Sequence, residues 1–297
     1  MIGAIGAFLS HSERKAPSAG SVGEALGAAT DALRAAGVDT PRLDAELLLA
    51  EATGLDRGRL LAEPELGVGA PAARAFGAMV RRRVAREPVA YILGRKGFRR
   101  IEVAVDPRVL IPRPETELLV ELALELEPRT VLDVGTGSGA VALAVADELP
   151  AATVVGTDTS AAALELARAN AERLGLADRV RFAHGMRPNA SADGAFELLL
   201  ANLPYVTEAE WSTLFPEITE YEPRSALVSG PTGLEAIEAL LGELATGAAQ
   251  ARAIGLEIGA GQARTVGDLV RRSGYERVEV RPDLTGIERL VVGANGA

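Results

Sequence analysis

The sequence predicts an α/β fold: a doubly wound sheet of seven strands, preceded by a small all-helical N-terminal domain. From residue 130 onward, short apolar runs that favour strands alternate with segments of helical periodicity, whereas residues 20–90 show helical periodicity throughout. Alternating strands and helices build a parallel sheet with helices on both faces. We therefore expect two domains, with the sheet in the larger, C-terminal one.

Residues 20–90 read as a bundle of short amphipathic helices. The first opens with Ser21 and Glu24 at the spacing of a capping box, in which each side chain bonds the backbone N–H of the other residue. The predicted helices span 21–37, 41–54 and 71–86. Such a bundle is a packing module with no evident chemistry, and residues 1–19 before it are predicted to be a disordered lead-in.

A linker over residues 91–114 separates the two domains. The alternating run FRRIEVAV, residues 98–105, favours strand and predicts a β-hairpin, and prolines then stiffen the segment VLIPRPETE. The C-terminal domain over 115–297 begins with a predicted helix at 115–127. Its predicted strands are 130–135, 153–158, 180–183, 196–202, 251–259, 277–281 and 287–293, and its further helices are 138–148, 160–174, 231–246 and 261–273. The last two strands suit an antiparallel hairpin.

The composition excludes several kinds of protein and site. Hydrophobic residues make up 48% of the chain and charged residues 24%, as in globular proteins. With no cysteine and only two histidines, disulfides, thiol nucleophiles and cysteine-ligated zinc are excluded, and we expect no metal site. Since no apolar run reaches the ~18 residues of a membrane span and no signal peptide is evident, we expect a cytoplasmic protein that binds no membrane.

The charge is acidic and unevenly distributed. Residues 1–90 carry 11 basic and 11 acidic side chains, whereas residues 91–297 carry 20 and 30. Loose binding to phosphate backbones needs clustered positive charge. We therefore expect no stable nucleic-acid partner, although a specific contact with nucleic acid stays open.

The first candidate site is the glycine turn DVGTGSGA, which follows a predicted strand and opens a predicted helix. Glycines let a backbone turn tightly and approach a ligand closely, and the helix N-terminus offers free N–H groups. The candidate ligand-binding residues are Gly135, Thr136, Gly137, Ser138 and Gly139. Asp158 ends the next strand, where a carboxylate can accept both ribose hydroxyls of an adenosine. Together they indicate a nucleoside-type cofactor, the alternatives being an ordinary turn and a helix N-cap.

The second candidate site is the tetrapeptide Asn202-Leu203-Pro204-Tyr205, at the end of the strand FELLLA. Ligands of open α/β sheets bind beyond the carboxyl ends of the strands, so both sites can share one pocket. The side-chain oxygen of Asn202 and the carbonyl of Leu203 can each accept a hydrogen bond from one planar NH2 group. Pro204 stiffens the loop, and Tyr205 supplies a flat wall. A turn with an asparagine cap is the alternative.

These motifs resemble class I S-adenosyl-methionine-dependent methyltransferases that modify a planar NH2 group. The linker GFRRIEVAVDPRVLIPRPETELLVE, with EPVAYILG before it, narrows the resemblance to the release factor glutamine methyltransferases (HemK/PrmC family). PEITEYEPRSALVSGPTGLEAI and the closing DLTGIERLVVG resemble the same family. The resemblance covers about residues 20–293 and implies the Rossmann-like methyltransferase sheet.

The resemblance implies a function and a set of site residues. The enzyme would transfer a methyl group from S-adenosyl-L-methionine to the side-chain nitrogen of the glutamine in the Gly-Gly-Gln motif of class I peptide chain release factors. The N-terminal domain would help to grip the release factor. The residues expected to bind the cofactor are Gly135, Thr136, Gly137, Ser138, Gly139, Asp158, Met186, Arg187 and Asn202. The residues expected to act in catalysis and to bind the substrate are Asn202, Leu203, Pro204 and Tyr205.

Two departures from the family pattern leave alternatives open. The family usually reads Asn-Pro-Pro-Tyr, and many relatives carry an acidic residue where this chain has Met186. Leu203 still offers its carbonyl, but the tetrapeptide alone also fits methyltransferases that act on the adenine amino group of RNA or DNA. A cofactor-binding protein without activity is the third hypothesis.

We expect a monomer. Linker residues Arg113, Glu115 and Thr116 either line the cofactor pocket or pack the domain joint.

Overall fold

The computed structural model describes residues 18–186, 196–245 and 251–295. The chain divides into two compact units, the first ending at Leu93 and the second beginning at Gly94. Of the predicted lead-in, residues 1–17 lie outside the described residues, whereas Ser18 already begins a strand. No helix of the described ranges is long and apolar enough to cross a membrane.

The first unit is a helical bundle, as the periodicity predicts. Its helices are α1 (Val22–Ala35), α2 (Pro41–Thr53), α3 (Arg57–Ala62), α4 (Ala70–Val84) and α5 (Val89–Leu93). The capping box at Ser21 and Glu24 forms at the start of α1. The sequence did not indicate a short antiparallel pair, β1 (Ser18–Ser21) with β2 (Gly67–Gly69), because so brief and glycine-rich a pairing has no periodicity of its own.

The core of the first unit is aliphatic, with one buried ion pair beside it. Leu26, Leu33 and Leu48 are fully buried at the helix contacts. The Nε of Arg83 donates to a carboxylate oxygen of Asp44 at 2.7 Å, and both side chains are buried. The pair joins α4 to α2, and removal of either partner would leave a buried charge uncompensated.

The second unit opens with the predicted hairpin. The run predicted as one strand over 98–105 is divided: β3 (Arg95–Phe98) pairs antiparallel with β4 (Ile101–Ala104), and Arg99 between them adopts a left-handed φ of 51°. Phe98 and Val103 are buried, so the hairpin packs on the unit through one face.

The seven-stranded sheet of the second unit confirms the predicted fold. The strands are β5 (Thr130–Val134), β6 (Thr153–Asp158), β7 (Val180–His184), β8 (Phe196–Ala201), β9 (Ala251–Glu257), β10 (Arg277–Pro282) and β11 (Glu288–Ala294). Their order is β10-β11-β9-β8-β5-β6-β7. Strands β5 to β9 pair in parallel, and β11 is antiparallel to both β9 and β10, as expected of a closing hairpin.

Helices of the second unit flank the sheet, and two short ones lie in the segment after β8. They are α6 (Glu117–Leu126), α7 (Ala140–Glu148), α8 (Ala161–Arg173), α9 (Glu208–Trp211), α10 (Pro216–Thr219), α11 (Glu235–Ala245) and α12 (Ala263–Arg272). The chain runs from β5 through β6 to β7 in one direction and then returns to place β8 on the other side of β5. This reversal opens a crevice beyond the carboxyl ends of β5 and β8, where ligands of such sheets bind.

Candidate functional site

A cavity of about 400 Å³ occupies this crevice. Its size suits a small-molecule ligand, since ligand pockets typically hold about 300 to 1,000 Å³. The ends of β5, β6 and β8 contribute to its wall, with segments before α6 and α11. The lining residues are Pro107, Arg108, Val109, Leu110, Val134, Gly135, Gly137, Asp158, Thr159, Ser160, Ala162, Ala163, Gly185, Met186, Asn202, Leu203, Pro204, Pro223, Ser225, Ala226 and Ala236. Both predicted sites therefore open into one space.

The glycine turn between β5 and α7 depends on its glycines. Gly135, Gly137 and Gly139 have φ values of 74°, 56° and 82°, a region that residues with a Cβ rarely adopt. A Cβ on Gly135 would lie 3.0 Å from Cδ2 of Leu203, and one on Gly139 would lie 3.1 Å from Cδ1 of Leu143. Gly135 and Gly137 line the cavity, so a ligand can reach the backbone there.

Side chains of the same turn face the protein interior. Thr136 and Ser138 are buried, and neither is among the described residues that line the cavity. The hydroxyl of Thr136 donates to Asp133 at 2.6 Å, and Asp133 also accepts from the N–H of Ala142 at 3.2 Å. Burial raises the pKa of Asp133 to about 7. The Thr136 hydroxyl thus stabilises the turn, and a cofactor contact from Thr136 or Ser138 would come from the backbone.

Asp158 joins the glycine turn to the next helix. One of its carboxylate oxygens accepts from the N–H of Gly137 at 2.9 Å, and the other accepts from the N–H of Ser160 at 2.8 Å. Ser160 is the N-cap of α8 and accepts from Ala163 at 3.1 Å, so Asp158 is not needed as that cap. Each carboxylate oxygen has two lone pairs. Asp158 lines the cavity and keeps acceptor capacity for two hydroxyl groups.

The side-chain amide of Asn202 has a defined orientation. Its Nδ2 donates to Oγ1 of Thr116 at 3.0 Å, and Asn202 lines the cavity. Because the amide nitrogen is held by Thr116, the amide oxygen Oδ1 is the atom available to accept a hydrogen bond. Thr116 is buried, so this contact is shielded from water.

The remaining residues of the tetrapeptide separate in space. Leu203 is buried against Gly135 and belongs to the core, and both Leu203 and Pro204 line the cavity. Tyr205 is not among the described residues that line it. Its carbonyl accepts from Nε2 of Gln262 at 3.1 Å, and its ring lies beside Gly259. Burial raises the pKa of Tyr205 to about 12. The flat wall expected from Tyr205 thus lies outside the cavity as it stands.

Met186 lines the cavity, as expected of a residue near the adenine. Its backbone carbonyl accepts from the Thr157 hydroxyl at 3.3 Å, and its side chain packs against the core. The other residue predicted there, Arg187, lies outside the described residues.

Sequence reasoning missed part of the cavity wall. The segment Pro107–Leu110 and the residues Pro223, Ser225 and Ala226 line the cavity. Glu222 holds the two segments together: its carboxylate accepts from the N–H of Ile111 at 3.0 Å and pairs with Arg113. The proline-rich linker and the segment EPRSA were the available signals, but neither pattern indicates that the two segments meet.

Of the three linker residues with an open role, none lines the cavity among the described residues. Arg113 pairs with Glu222, and Thr116 contacts Asn202. Thr116 thus contacts a residue of the wall, and Arg113 pairs with the residue before Pro223 of the wall.

Comparison with known proteins places the fold in a class. Residues 131–221 match the family described as "Methyltransferase domain", and residues 24–94 match the "PrmC N-terminal domain". The catalytic domain of human METTL16, solved with a MAT2A 3'UTR hairpin, resembles the chain with a TM-score of 0.55 at 13% identity, over 66% of this chain and 76% of that one. The sheet and the glycine turn define a Rossmann-like methyltransferase.

Sequence relatives identify the family. The release factor glutamine methyltransferase of Caulobacter vibrioides is 38% identical over 270 residues, which cover 90% of this chain and 93% of the relative. That of Moorella thermoacetica is 42% identical over 271 residues, covering 90% and 95%. The chain belongs to the release factor glutamine methyltransferase family, which confirms the family predicted from the motifs.

Proposed function

We propose that this enzyme transfers a methyl group from S-adenosyl-L-methionine to the side-chain amide nitrogen of the glutamine in the Gly-Gly-Gln motif of class I peptide chain release factors. The observation that carries the proposal is the orientation of Asn202, whose Nδ2 is held by Thr116 while its Oδ1 remains available at the cavity. An amide oxygen in this position can accept a hydrogen bond from an incoming NH2 group.

The cavity fits the proposed cofactor. The turn at Gly135 and Gly137 offers backbone without Cβ atoms, and the carboxylate of Asp158 offers acceptors for the two ribose hydroxyls. Met186 supplies an apolar surface suited to the adenine. When bound, S-adenosyl-L-methionine supplies an activated methyl carbon for displacement.

Asn202 and Leu203 would orient the glutamine. An amide nitrogen is a weak nucleophile because its lone pair is delocalised, so its placement matters more than its intrinsic reactivity. Oδ1 of Asn202 accepts from one N–H and the carbonyl of Leu203 accepts from the other. Transfer is a single in-line displacement that the enzyme accelerates by orientation and electrostatics. The proton released from nitrogen passes to water, so no strong base is needed.

Further parts of the proposal concern partners and location. The release factor is the protein substrate, and the first unit helps to grip it. The enzyme acts as a monomer in the cytoplasm and forms no stable complex with nucleic acid, in keeping with a net charge of -10. The names of the relatives do not favour the alternative of an adenine methyltransferase.

A mass assay tests the proposal. The enzyme is incubated with a release factor and saturating S-adenosyl-L-methionine, and the Gly-Gly-Gln peptide is then analysed by mass spectrometry. We expect the mass gain of one methyl group on the glutamine, and none when that glutamine is replaced by glutamate. An unmodified peptide, or label transferred to RNA or DNA instead, would remove the proposed substrate.

A further inference from the structure

A buried carboxylate lies behind the proposed substrate-binding amide. Glu257 ends β9, and its side chain is only 3% exposed. In the parallel register of β8 with β9, Ala201 lies opposite Leu256, so Asn202 and Glu257 follow that pair at the same end of neighbouring strands. A buried carboxylate needs compensation, because its desolvation is costly.

Thr116 lies between the two side chains. Its Oγ1 accepts from Nδ2 of Asn202 at 3.0 Å, and its hydroxyl lies close enough to the Glu257 carboxylate to lower the pKa of that group as a hydrogen-bond donor. A threonine hydroxyl has one hydrogen to donate, and a carboxylate without its proton can only accept. While Glu257 is ionised, the bonds therefore run in one direction: Asn202 donates to Thr116, and Thr116 donates to Glu257.

This direction decides which way the Asn202 amide faces. A flipped amide would present Oδ1 to Thr116 and its NH2 to the cavity, where it would meet another NH2 group. Without Glu257, the Thr116 hydroxyl could satisfy the flipped amide by donating to it. Because Glu257 takes the hydroxyl hydrogen, Thr116 offers only a lone pair, and the flipped orientation loses its hydrogen bond.

The surroundings of Glu257 act on its protonation in both directions. Arg113, Arg289, Glu115 and the ring of Tyr205 are the charged or titratable groups that act on it. Burial raises the pKa of Glu257 to about 7, and the Thr116 hydrogen bond opposes the rise. A protonated carboxyl group still has acceptor capacity. Its second oxygen, Oε2, is buried without a hydrogen-bond partner among the described residues.

We propose that Glu257 and Thr116 are positioning residues, which act through Asn202 to keep its amide oxygen turned toward the substrate. The inference rests on the proposed function, because it assumes that Asn202 accepts the hydrogen bond of the glutamine amide. Neither residue needs to touch the substrate or the cofactor. Their effect is on the fraction of enzyme whose Asn202 is competent, and so on kcat.

Four variants test the inference: Thr116→Val removes the hydroxyl at nearly constant shape, Thr116→Ser retains it, Glu257→Met removes the acceptor, and Asn202→Ala removes the amide. We expect Thr116→Val to lower kcat about 10-fold and Glu257→Met about fivefold, on the scale of one hydrogen bond. The KM for release factor and the Kd for S-adenosyl-L-methionine should change less than about twofold, and Thr116→Ser should restore most of kcat. Thr153→Val, an exposed threonine at the opposite end of the sheet, is the matched control.

The Asn202→Ala background separates positioning from a general structural role. If Thr116 acts through Asn202, then Thr116→Val adds no further loss to Asn202→Ala. A loss that multiplies in the double variant, or a normal kcat in both Thr116→Val and Glu257→Met, overturns the inference. Normal turnover by Asn202→Ala instead removes the role proposed for Asn202, whereas the mass assay alone decides whether the release-factor glutamine is the substrate. If circular dichroism shows that Thr116→Val does not fold, Glu257→Met replaces it. The comparison is then between Glu257→Met alone and Glu257→Met combined with Asn202→Ala.

Discussion

At the scale of single residues, the proposed site depends on one amide and one carboxylate, both of which the fold orients through hydrogen bonds. Asn202 is held through its nitrogen by Thr116, and Asp158 is held by the backbone N–H groups of Gly137 and Ser160. Both side chains would therefore meet the proposed ligands with little freedom left to lose. Preorganised acceptors of this kind are worth more than mobile ones.

Asn202→Ala tests the hydrogen bond proposed between Asn202 and the glutamine amide of the substrate. Loss of the orienting acceptor should lower kcat about 100-fold or more, by analogy with removal of one oxyanion-hole donor. The Kd for S-adenosyl-L-methionine, measured by calorimetric titration, should change little, because the glycine turn and Asp158 remain. Undiminished kcat would show that the amide nitrogen is oriented by other groups.

Asp158→Ala tests the contact proposed between Asp158 and the ribose hydroxyls of the cofactor. The substitution removes the proposed ribose acceptor and the bond to the N–H of Gly137. We expect the Kd for S-adenosyl-L-methionine to rise about 10-fold or more, and kcat at saturation to fall by less. Asp178→Ala removes an exposed carboxylate just before β7, at the other end of the sheet, and serves as the control. Equal effects of the two variants on Kd would exclude a ribose contact.

At the scale of elements, the turn from β5 into α7 is the part of the site whose sequence is most constrained. Gly139 is the N-cap of α7 and has a left-handed backbone. A Cβ at this position would meet side chains from three directions, at 3.1 Å for Leu143 and 3.3 Å for both Ala167 and Phe182. The glycine is therefore required both by its dihedral angle and by the space around it.

Gly139→Ala and Gly175→Ala separate these two requirements. Gly175 has a similar φ of 70°, but a Cβ there would meet nothing within 4 Å. We expect Gly175→Ala to cost about 1 kcal/mol of unfolding free energy from backbone strain alone, and Gly139→Ala to cost about 1 to 3 kcal/mol more from overpacking. Urea denaturation of both variants measures the difference. Similar costs would mean that the neighbours of Gly139 yield readily.

At the scale of the whole molecule, a buried acid links folding to pH. Asp133 is 2% exposed, and burial raises its pKa from 3.8 to about 7, while the nearby charge of Asp158 acts in the same direction. The folded state therefore retains a proton that the unfolded state releases between pH ~4 and ~7. The stability that this proton confers is present at low pH and is lost as the pH rises through about 7.

Asp133→Asn should weaken this pH dependence. Because the pKa of Asp133 is raised, the free energy of unfolding of the natural protein should fall by about 2 kcal/mol between about pH 5 and 8. The variant should lose less over the same interval, because its amide does not titrate, and it retains an oxygen for the Thr136 hydroxyl and the Ala142 N–H. Denaturant midpoints at both pH values give the comparison. Parallel pH profiles for the two proteins would show that Asp133 does not change its protonation on folding.

How far the sequence predicted the site can be judged from particular residues. Gly135, Gly137, Asp158, Met186, Asn202, Leu203 and Pro204 line the predicted crevice, because strand ends and glycine turns are local features that a sequence displays. The interior orientation of Thr136 and Ser138 and the placement of Tyr205 were not predictable in this way. The placement of Tyr205 depends on neighbours that are distant in the chain, such as Gly259 beside its ring. Thr136 turns toward Asp133, a contact that its sequence pattern does not reveal.

The sequence by itself determined the succession of strands and helices that builds the seven-stranded sheet, the family of the protein, and the strand ends at which we propose that ligands bind. Periodicity, glycine spacing and short motifs are local properties, and they suffice for these conclusions. Only the tertiary structure decided that the linker and the segment around Glu222 close the cavity, and that Thr116 and Glu257 lie behind Asn202. These contacts join residues more than 85 positions apart. Packing of the folded chain sets such contacts, and no local pattern records them.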